Sequence, residues 1–123
     1  MNESGQQKPQ YDLEERTFLF AKDVREFIKT LPYSKTNEED GKQVIRSSGS
    51  VGANYIEANE SLSKKDFKMR IRISRKEAKE SAYWIRLLLS TNVLKNSGEG
   101  NRLMDEAIQL KKIFHAILQK SGG

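Results

Sequence analysis

Two acidic pairs stand one helical turn apart, Glu57 with Glu60 and Glu77 with Glu80. Carboxylates at that spacing share a helix face and could ligate a metal. A di-iron or di-manganese bundle, however, uses Glu-x-x-His on two of its helices. Here the residue at the third position on is glutamate both times, and the chain has one histidine, His115. No metal site is expected. A single histidine among apolar residues reads as structural or partly exposed, and nothing resembles a Ser/His/Asp arrangement. The absence of cysteine removes thiolate nucleophiles, disulfides and cysteine-based metal sites. The run Ser47-Ser48-Gly49-Ser50-Val51-Gly52-Ala53 fits neither G-x-x-x-x-G-K-[ST] nor G-x-G-x-x-G, and no strand pattern precedes it. The carboxylate pairs are therefore expected to meet Arg or Lys, or to line a subunit contact. The expectation is a non-enzymatic protein with no catalytic residues, no cofactor and no small-molecule substrate.

What remains is electrostatic and apolar surface. At 100° per residue, Lys65, Lys68, Arg72, Arg75, Lys76, Lys79 and Arg86 fall within an arc of about 100° on one helix. Asp66, Glu77 and Glu80 lie off that arc, so the face carries a single sign. It reads either as a contact for RNA, DNA or another polyanion, or as a plainly solvated face. Beside it run Met69, Ile73, Trp84 and Leu87, with Glu77 and Glu80 between them. A bundle helix needs one apolar stripe, so this second stripe is surplus. It reads as a widened core edge or as a subunit interface with Trp84 as anchor.

These residues need helices to position them, and the apolar periodicity supplies four. Leu13, Thr17, Phe20, Val24, Phe27 and Leu31 recur at 4, 3, 4, 3, 4, with Asp12 and Glu15 as a capping pair and Pro32 as a stop. This predicts a helix over about 12–31. Thr36 or Asn37 is expected to cap a second helix running to about 61, with Val44, Val51, Tyr55, Ala58 and Leu62 on its apolar side. Its interior glycines cost roughly 1 kcal/mol each relative to alanine. The period of 3.6 continues through them, so close helix packing is expected to offset that cost. Ser63 caps a third helix over about 64–91, with Phe67, Ile71, Ser74, Ala78, Ser81, Ile85 and Leu88 as its stripe. Residues 96–100 read as a loop, and a fourth helix carries Leu103, Ala107, Leu110, Phe114 and Ile117 to about Lys120. Short connections between amphipathic helices predict an all-α, antiparallel, up-down-up-down four-helix bundle.

The length of 123 residues suits one domain, expected over 11–120 behind a polar, flexible tail at 1–10. No stretch reaches the roughly 20 apolar residues of a membrane span. The first ten residues lack an apolar signal region, so a cytoplasmic protein is expected. Lys and Arg number 22 against 17 Asp and Glu, a formal charge of +5. That balance is compatible with polyanion binding.

Two blocks carry a family resemblance. Arg46-Ser47-Ser48-Gly49-Ser50-Val51-Gly52-Ala53-Asn54-Tyr55-Ile56-Glu57-Ala58 resembles R-S-x-x-S-[IV]-x-x-N-[IL]-x-E-[AG], a helix 2 signature of the four-helix bundle family named for the 23S rRNA intervening sequence. Lys76-Glu77-Ala78-Lys79-Glu80-Ser81-Ala82-Tyr83-Trp84-Ile85 resembles the family's second block, on helix 3. The resemblance implies a small bundle, assembly of relatives as rings of five, and no enzymatic activity. It also implies kinship in fold with the basic accessory protein of diversity-generating retroelements, which works with nucleic acid. The motif residues are Arg46, Ser50, Asn54, Glu57, Glu77, Glu80 and Trp84, none with a catalytic role. Arg46, Ser50, Ala53 and Glu57 fall on one side of helix 2 with Asn54 nearby, a polar strip suited to close approach by another helix. Arg46 is placed to pair with Glu77 or Glu80. Together with Met69, Ile73 and Trp84 this strip is the expected homo-oligomer interface, a pentamer being favoured. The competing expectation is a protein–protein adaptor or scaffold that binds no nucleic acid.

Overall fold

The computed structural model of the chain describes residues 13–95 and 97–122. All regular structure among them is helical: α1 (Leu13–Lys29), α2 (Lys35–Asn59), α3 (Lys64–Thr91) and α4 (Gly98–Lys120). Backbone contacts run in a ring, α1 to α2 to α3 to α4 and back to α1, and across the α2/α4 diagonal the rings of Tyr55 and Phe114 meet in the core with centroids 5.7 Å apart. That is the contact pattern of a four-helix bundle. The tail expected at 1–10 and the Asp12 cap lie outside the described residues.

The predicted stripes form the core. Leu13, Thr17, Phe20, Val24 and Phe27 of α1 are buried, as are Ile71, Ser74, Ala78, Ser81, Ile85 and Leu88 of α3. From α4 come Leu103, Ala107, Leu110 and Phe114, and then Leu118, with the expected Ile117 only half-buried. Phe20 and Phe114 are the largest fully buried side chains. Full burial of each such side chain contributes roughly 1.5–3 kcal/mol.

α2 runs unbroken through residues 47–53, and its small residues explain why. A Cβ added at Gly52 would lie 2.8 Å from Thr17 Oγ1 and 3.1 Å from Thr17 Cβ. At Gly41 an added Cβ would meet Ile28 of α1 at 3.4 Å, ordinary van der Waals contact. On the side facing α3, Ser47 and Ser81 share a buried hydroxyl–hydroxyl bond of 2.8 Å, and Ser74 Oγ donates to the Val51 carbonyl at 2.9 Å. Small side chains let both neighbours approach α2, and each buried hydroxyl finds an acceptor, avoiding a desolvation cost of about 1–3 kcal/mol.

Helix ends depart from expectation in four places. α1 stops at Lys29; Thr30 and Leu31 donate to the Phe27 and Ile28 carbonyls in a tighter turn before Pro32. α2 begins earlier, capped by Ser34, whose hydroxyl accepts from the Asn37 N–H at 3.0 Å. Asn37 is committed elsewhere. Its side-chain amide donates to the Pro32 carbonyl and exchanges two 2.9 Å bonds with Asn92 beyond α3. Leu62 is fully exposed in the connection after α2, because the helix has already ended at Asn59. Finally, Gly98-Glu99-Gly100 is the first turn of α4, not a loop. Gly100 slides under α3 and α1, where an added Cβ would sit 2.5 Å from Leu89 Cδ2 and 2.9 Å from Phe27 Cζ. Tertiary contact there overrides poor helix propensity. Arg102 reinforces the turn by bonding Glu99 at 2.7 Å and Asp23 of α1 at 3.0 Å, which holds the Glu99 carboxyl below its usual range. The expected Ser63 cap of α3 and the α4 terminus at Lys120 are both present.

Glycine substitutions should separate packing from propensity. Gly52→Ala should destabilise, because Thr17 backs onto a main chain that cannot yield, and Gly52→Leu should cost about 1–3 kcal/mol or more. Gly49 faces only the movable Arg25 guanidinium, 3.3 Å from an added Cβ. Gly49→Ala should therefore leave stability unchanged or raise it by up to about 1 kcal/mol. Urea denaturation midpoints check the pair; equal effects at both sites would refute the close-approach account.

Candidate functional site

The expected polar strip lies along the α2/α3 seam. Arg46 Nη2 reaches Glu77 Oε1 at 3.4 Å and Glu80 Oε1 at 3.3 Å. Glu77 is buried, and Lys76 stands 3.9 Å from its other oxygen. Asn54 donates to the Ser50 hydroxyl and carbonyl, each at 2.9 Å, and its own oxygen accepts from Arg70 Nη1 at 3.1 Å. Arg70 has no clear sequence signal because it lies on neither the basic arc nor the apolar stripe. Its Nε is buried without a partner among the described residues. Ser50, Asn54, Ile73, Glu80 and Trp84 are half-buried, and Glu57 and Met69 are exposed. Tyr83, more than half exposed, stacks edge-on against Trp84 with centroids 5.2 Å apart. The strip thus joins two helices of one chain and leaves an apolar rim of Met69, Ile73 and Trp84 at the surface.

The basic arc is displayed along α3. Lys65, Arg72, Lys76, Lys79 and Arg86 are exposed, and Lys68 and Arg75 half-buried. Among the described residues, no carboxylate lies within 4 Å of any of them except Glu77 beside Lys76. Glu77 and Glu80 lie off the arc, where both reach Arg46 of α2, so they do not break the single sign of the face. The structure does not treat the seven alike. Arg72, Arg75, Lys76 and Lys79 form one wall of a groove of about 560 Å³, and α4 provides the other through Lys111, Lys112 and His115. Arg75 Nη1 and His115 Nδ1 are 3.1 Å apart across it, with the arginine as donor. Lys68 points to the end of α4, its Nζ 3.9 Å from where a Cβ on Gly122 would be. A cation there complements the helix dipole. Lys65 and Arg86 lie along the same face outside the groove. The α4 residues are invisible to a helical wheel of α3 alone. Their own signal is in the sequence: Lys111, Lys112 and His115 interleave with the Leu110–Phe114 core positions on one flank of α4.

A third surface was not anticipated. Between α1 and α2 runs an apolar groove of about 700 Å³, lined by Phe18, Ala21, Ile28, Ile45 and Ile56 over a floor of Gly49, Gly52 and Ala53. Phe18 is 59% exposed and Ile56 47%. Gly52, which admits Thr17, and Gly49 add no side chain to this floor. No group of three or more metal-ligating side chains gathers among the described residues, and no helix is long and apolar enough to cross a membrane.

The fold and these surfaces define a small all-α protein with a polar inter-helix strip and a cationic face. The chain belongs to the 23S rRNA-intervening sequence protein family, whose model matches residues 10–116. A solved structure from Bacteroides thetaiotaomicron, a protein of unknown function from the S23 ribosomal protein family, is similar to it with a TM-score of 0.72 and 28% identity. The match covers 85% of this chain and 96% of that one. Among curated proteins none matches the chain.

Truncation of the strip should be felt in stability. Arg46→Ala leaves the buried Glu77 carboxylate with Lys76 alone. The expected cost is about 1–2 kcal/mol, below that of a fully buried pair because Arg46 is half exposed. Arg46→Ala combined with Glu77→Gln should recover part of it. A double-mutant cycle by chemical denaturation reads the coupling; additive losses would show that the two charges act independently.

Proposed function

We propose that the protein is a non-enzymatic, cytoplasmic, homo-oligomeric bundle of antiparallel, up-down-up-down topology that contacts RNA or DNA through the basic face of α3. The observation that carries the nucleic-acid reading is the unneutralised cation row on that face. From Lys65 to Arg86 it extends over about 30 Å of helix rise, long enough to meet several phosphates. Arginine forks and lysine point charges both suit phosphate oxygens. The topology is supported by the pairings themselves: Arg46 with Glu77 and Asn54 with Arg70, or Arg16 with Glu106 and Asp23 with Arg102, rise in one helix as they fall in the next.

Assembly is supported by apolar surface in excess of a monomer's needs. Met69, Ile73 and Trp84 over the Arg46–Asn54–Glu57 strip form one patch, and the α1/α2 groove another. Two different patches on one chain suit a heterologous contact, which closes into a ring when the rotation permits. Five subunits is the number that the family resemblance implies. A ring would repeat the cation row and raise weak contacts by avidity. A protein–protein scaffold is the second reading, favoured by the α1/α2 groove with its exposed Phe18 and Ile56.

Light scattering at micromolar concentration should report an oligomer, and Trp84→Ala should weaken it; a monomer for the unmodified protein would end the assembly reading. Fluorescence anisotropy with labelled RNA and DNA should show binding that falls with salt by about 0.7–0.9 log units per log unit for each phosphate neutralised. Charge reversal at Arg72 and Lys79 should flatten that slope without unfolding the bundle. A folded oligomer that binds neither nucleic acid at low salt would leave the scaffold reading.

A further inference from the structure

The α3 face is not an isolated row, because α4 turns part of it into a groove. We infer that the α3/α4 groove is a seat for the backbone of a single-stranded nucleic acid, with α4's Lys111 and Lys112 as necessary as the α3 cations. This rests on the nucleic-acid reading above and narrows it to a site and a strand form.

The lining consists of Arg72, Arg75, Lys76, Lys79, Lys111, Lys112 and His115, with no carboxylate among them. Six formal positive charges converging on one concavity repel one another, and only an anion entering between the walls relieves that repulsion. Among the described residues, Lys76 is the one cation of the groove within 4 Å of a carboxylate, and that contact is 3.9 Å. Arg75 is drawn against the α4 wall by its bond to His115 Nδ1, at 3.1 Å. That leaves its remaining N–H groups on the groove side.

The dimensions select the ligand. Packed helices stand about 8–10 Å apart axis to axis. A duplex whose major groove alone is about 12 Å wide rests on the rims of such a cleft and meets only the outermost cations of its walls. A single strand enters and is touched from both sides. Arg72 to Lys79 spans about 10 Å of rise, room for roughly two or three phosphates. Tyr83 continues the same α3 arc one turn beyond Lys79 and is 56% exposed, an aromatic face on which an emerging base can stack. An acidic peptide finds no such ring.

The test compares one labelled oligonucleotide of about twelve nucleotides, single-stranded and annealed to its complement, by anisotropy at two salt concentrations. The unmodified protein should bind the single strand at least tenfold more tightly than the duplex. Lys111→Gln with Lys112→Gln should weaken single-strand binding tenfold or more and duplex binding by less than threefold, because a duplex on the rim meets the exposed Lys112 but not the half-buried Lys111. It should also lower the single-strand salt slope by about 0.7 for each phosphate no longer neutralised. Lys112→Gln alone, at an exposed position, should give a smaller loss in the same direction and guards against misfolding of the double variant. Lys65→Gln with Arg86→Gln, outside the groove, should weaken both strand forms alike. Unchanged single-strand binding in the Lys111/Lys112 variant, with weakened binding in the Lys65/Arg86 variant, would overturn the groove and leave the α3 reading standing. Tighter binding of the duplex would also overturn it. No binding of either form would overturn both.

Discussion

The structure depends on how closely α2 can be approached from two sides. Gly52 admits Thr17 of α1, and Ser47 and Val51 admit Ser81 and Ser74 of α3. A helix with large side chains on both flanks would hold its neighbours further off, and the core would need larger residues to fill. Here the core relies on Phe20 and Phe114 on the opposite helices, with serine and alanine filling the α2/α3 seam. The glycine cost to helix propensity, roughly 1 kcal/mol each, is set against packing that larger residues would prevent. The hydroxyls add direction that an all-alanine seam lacks. Ser74 to the Val51 carbonyl and Ser47 to Ser81 each fix the longitudinal register of α3 on α2.

Register decides where charge ends up. With α3 locked by its serines, Glu77 and Glu80 fall opposite Arg46, and the acidic half of α3 is consumed inside the protomer. Among the described residues, the cations left behind have no carboxylate within 4 Å except Glu77 beside Lys76. The single-signed face is thus a consequence of the small-residue seam, through the carboxylates that the seam places against α2. The same logic joins α1 to α4. Arg16 forms two bonds with Glu106, at 2.7 and 2.9 Å, and Arg102 links Glu99 with Asp23, so acids on these helices are also paired across the bundle.

Much of this was legible because bundle helices write their core positions in a period of 3.6. The α1 and α3 stripes and the Ser63 cap followed from spacing alone, and the Arg46 pairing with Glu77 and Glu80 from the motif residues that the family resemblance singles out. What spacing does not carry is contact between elements. Gly98-Glu99-Gly100 has the composition of a loop, and only the presence of Leu89 and Phe27 above Gly100 makes it helix. Leu62 looked like a continuation of the α2 stripe, yet the chain had already left the helix. Arg70 and the Lys111–Lys112–His115 cluster each answer to a neighbouring helix, Arg70 to Asn54 and His115 to Arg75. A wheel drawn for one helix at a time leaves such residues unassigned. Phe18 and Ile56 were missed for a related reason, since an apolar groove exists only once two helices are laid side by side.

The ring order of contacts sets the two grooves apart. The apolar groove lies between α1 and α2 and the cationic groove between α3 and α4, so they occupy opposite flanks of the bundle. An apolar contact gains from excluding water, and a cluster of cations at its edge would be desolvated at a cost. A polyanion seat gains from remaining open to solvent and to the entry of a flexible chain. Were both on one flank, covering the first would either close the second or force its lysines and arginines into an interface without partners. Separation removes that conflict. A neighbouring subunit or protein can cover Phe18 and Ile56 while Arg72, Lys79 and Lys112 stay in water, so apolar association and phosphate contact need not compete for the same face.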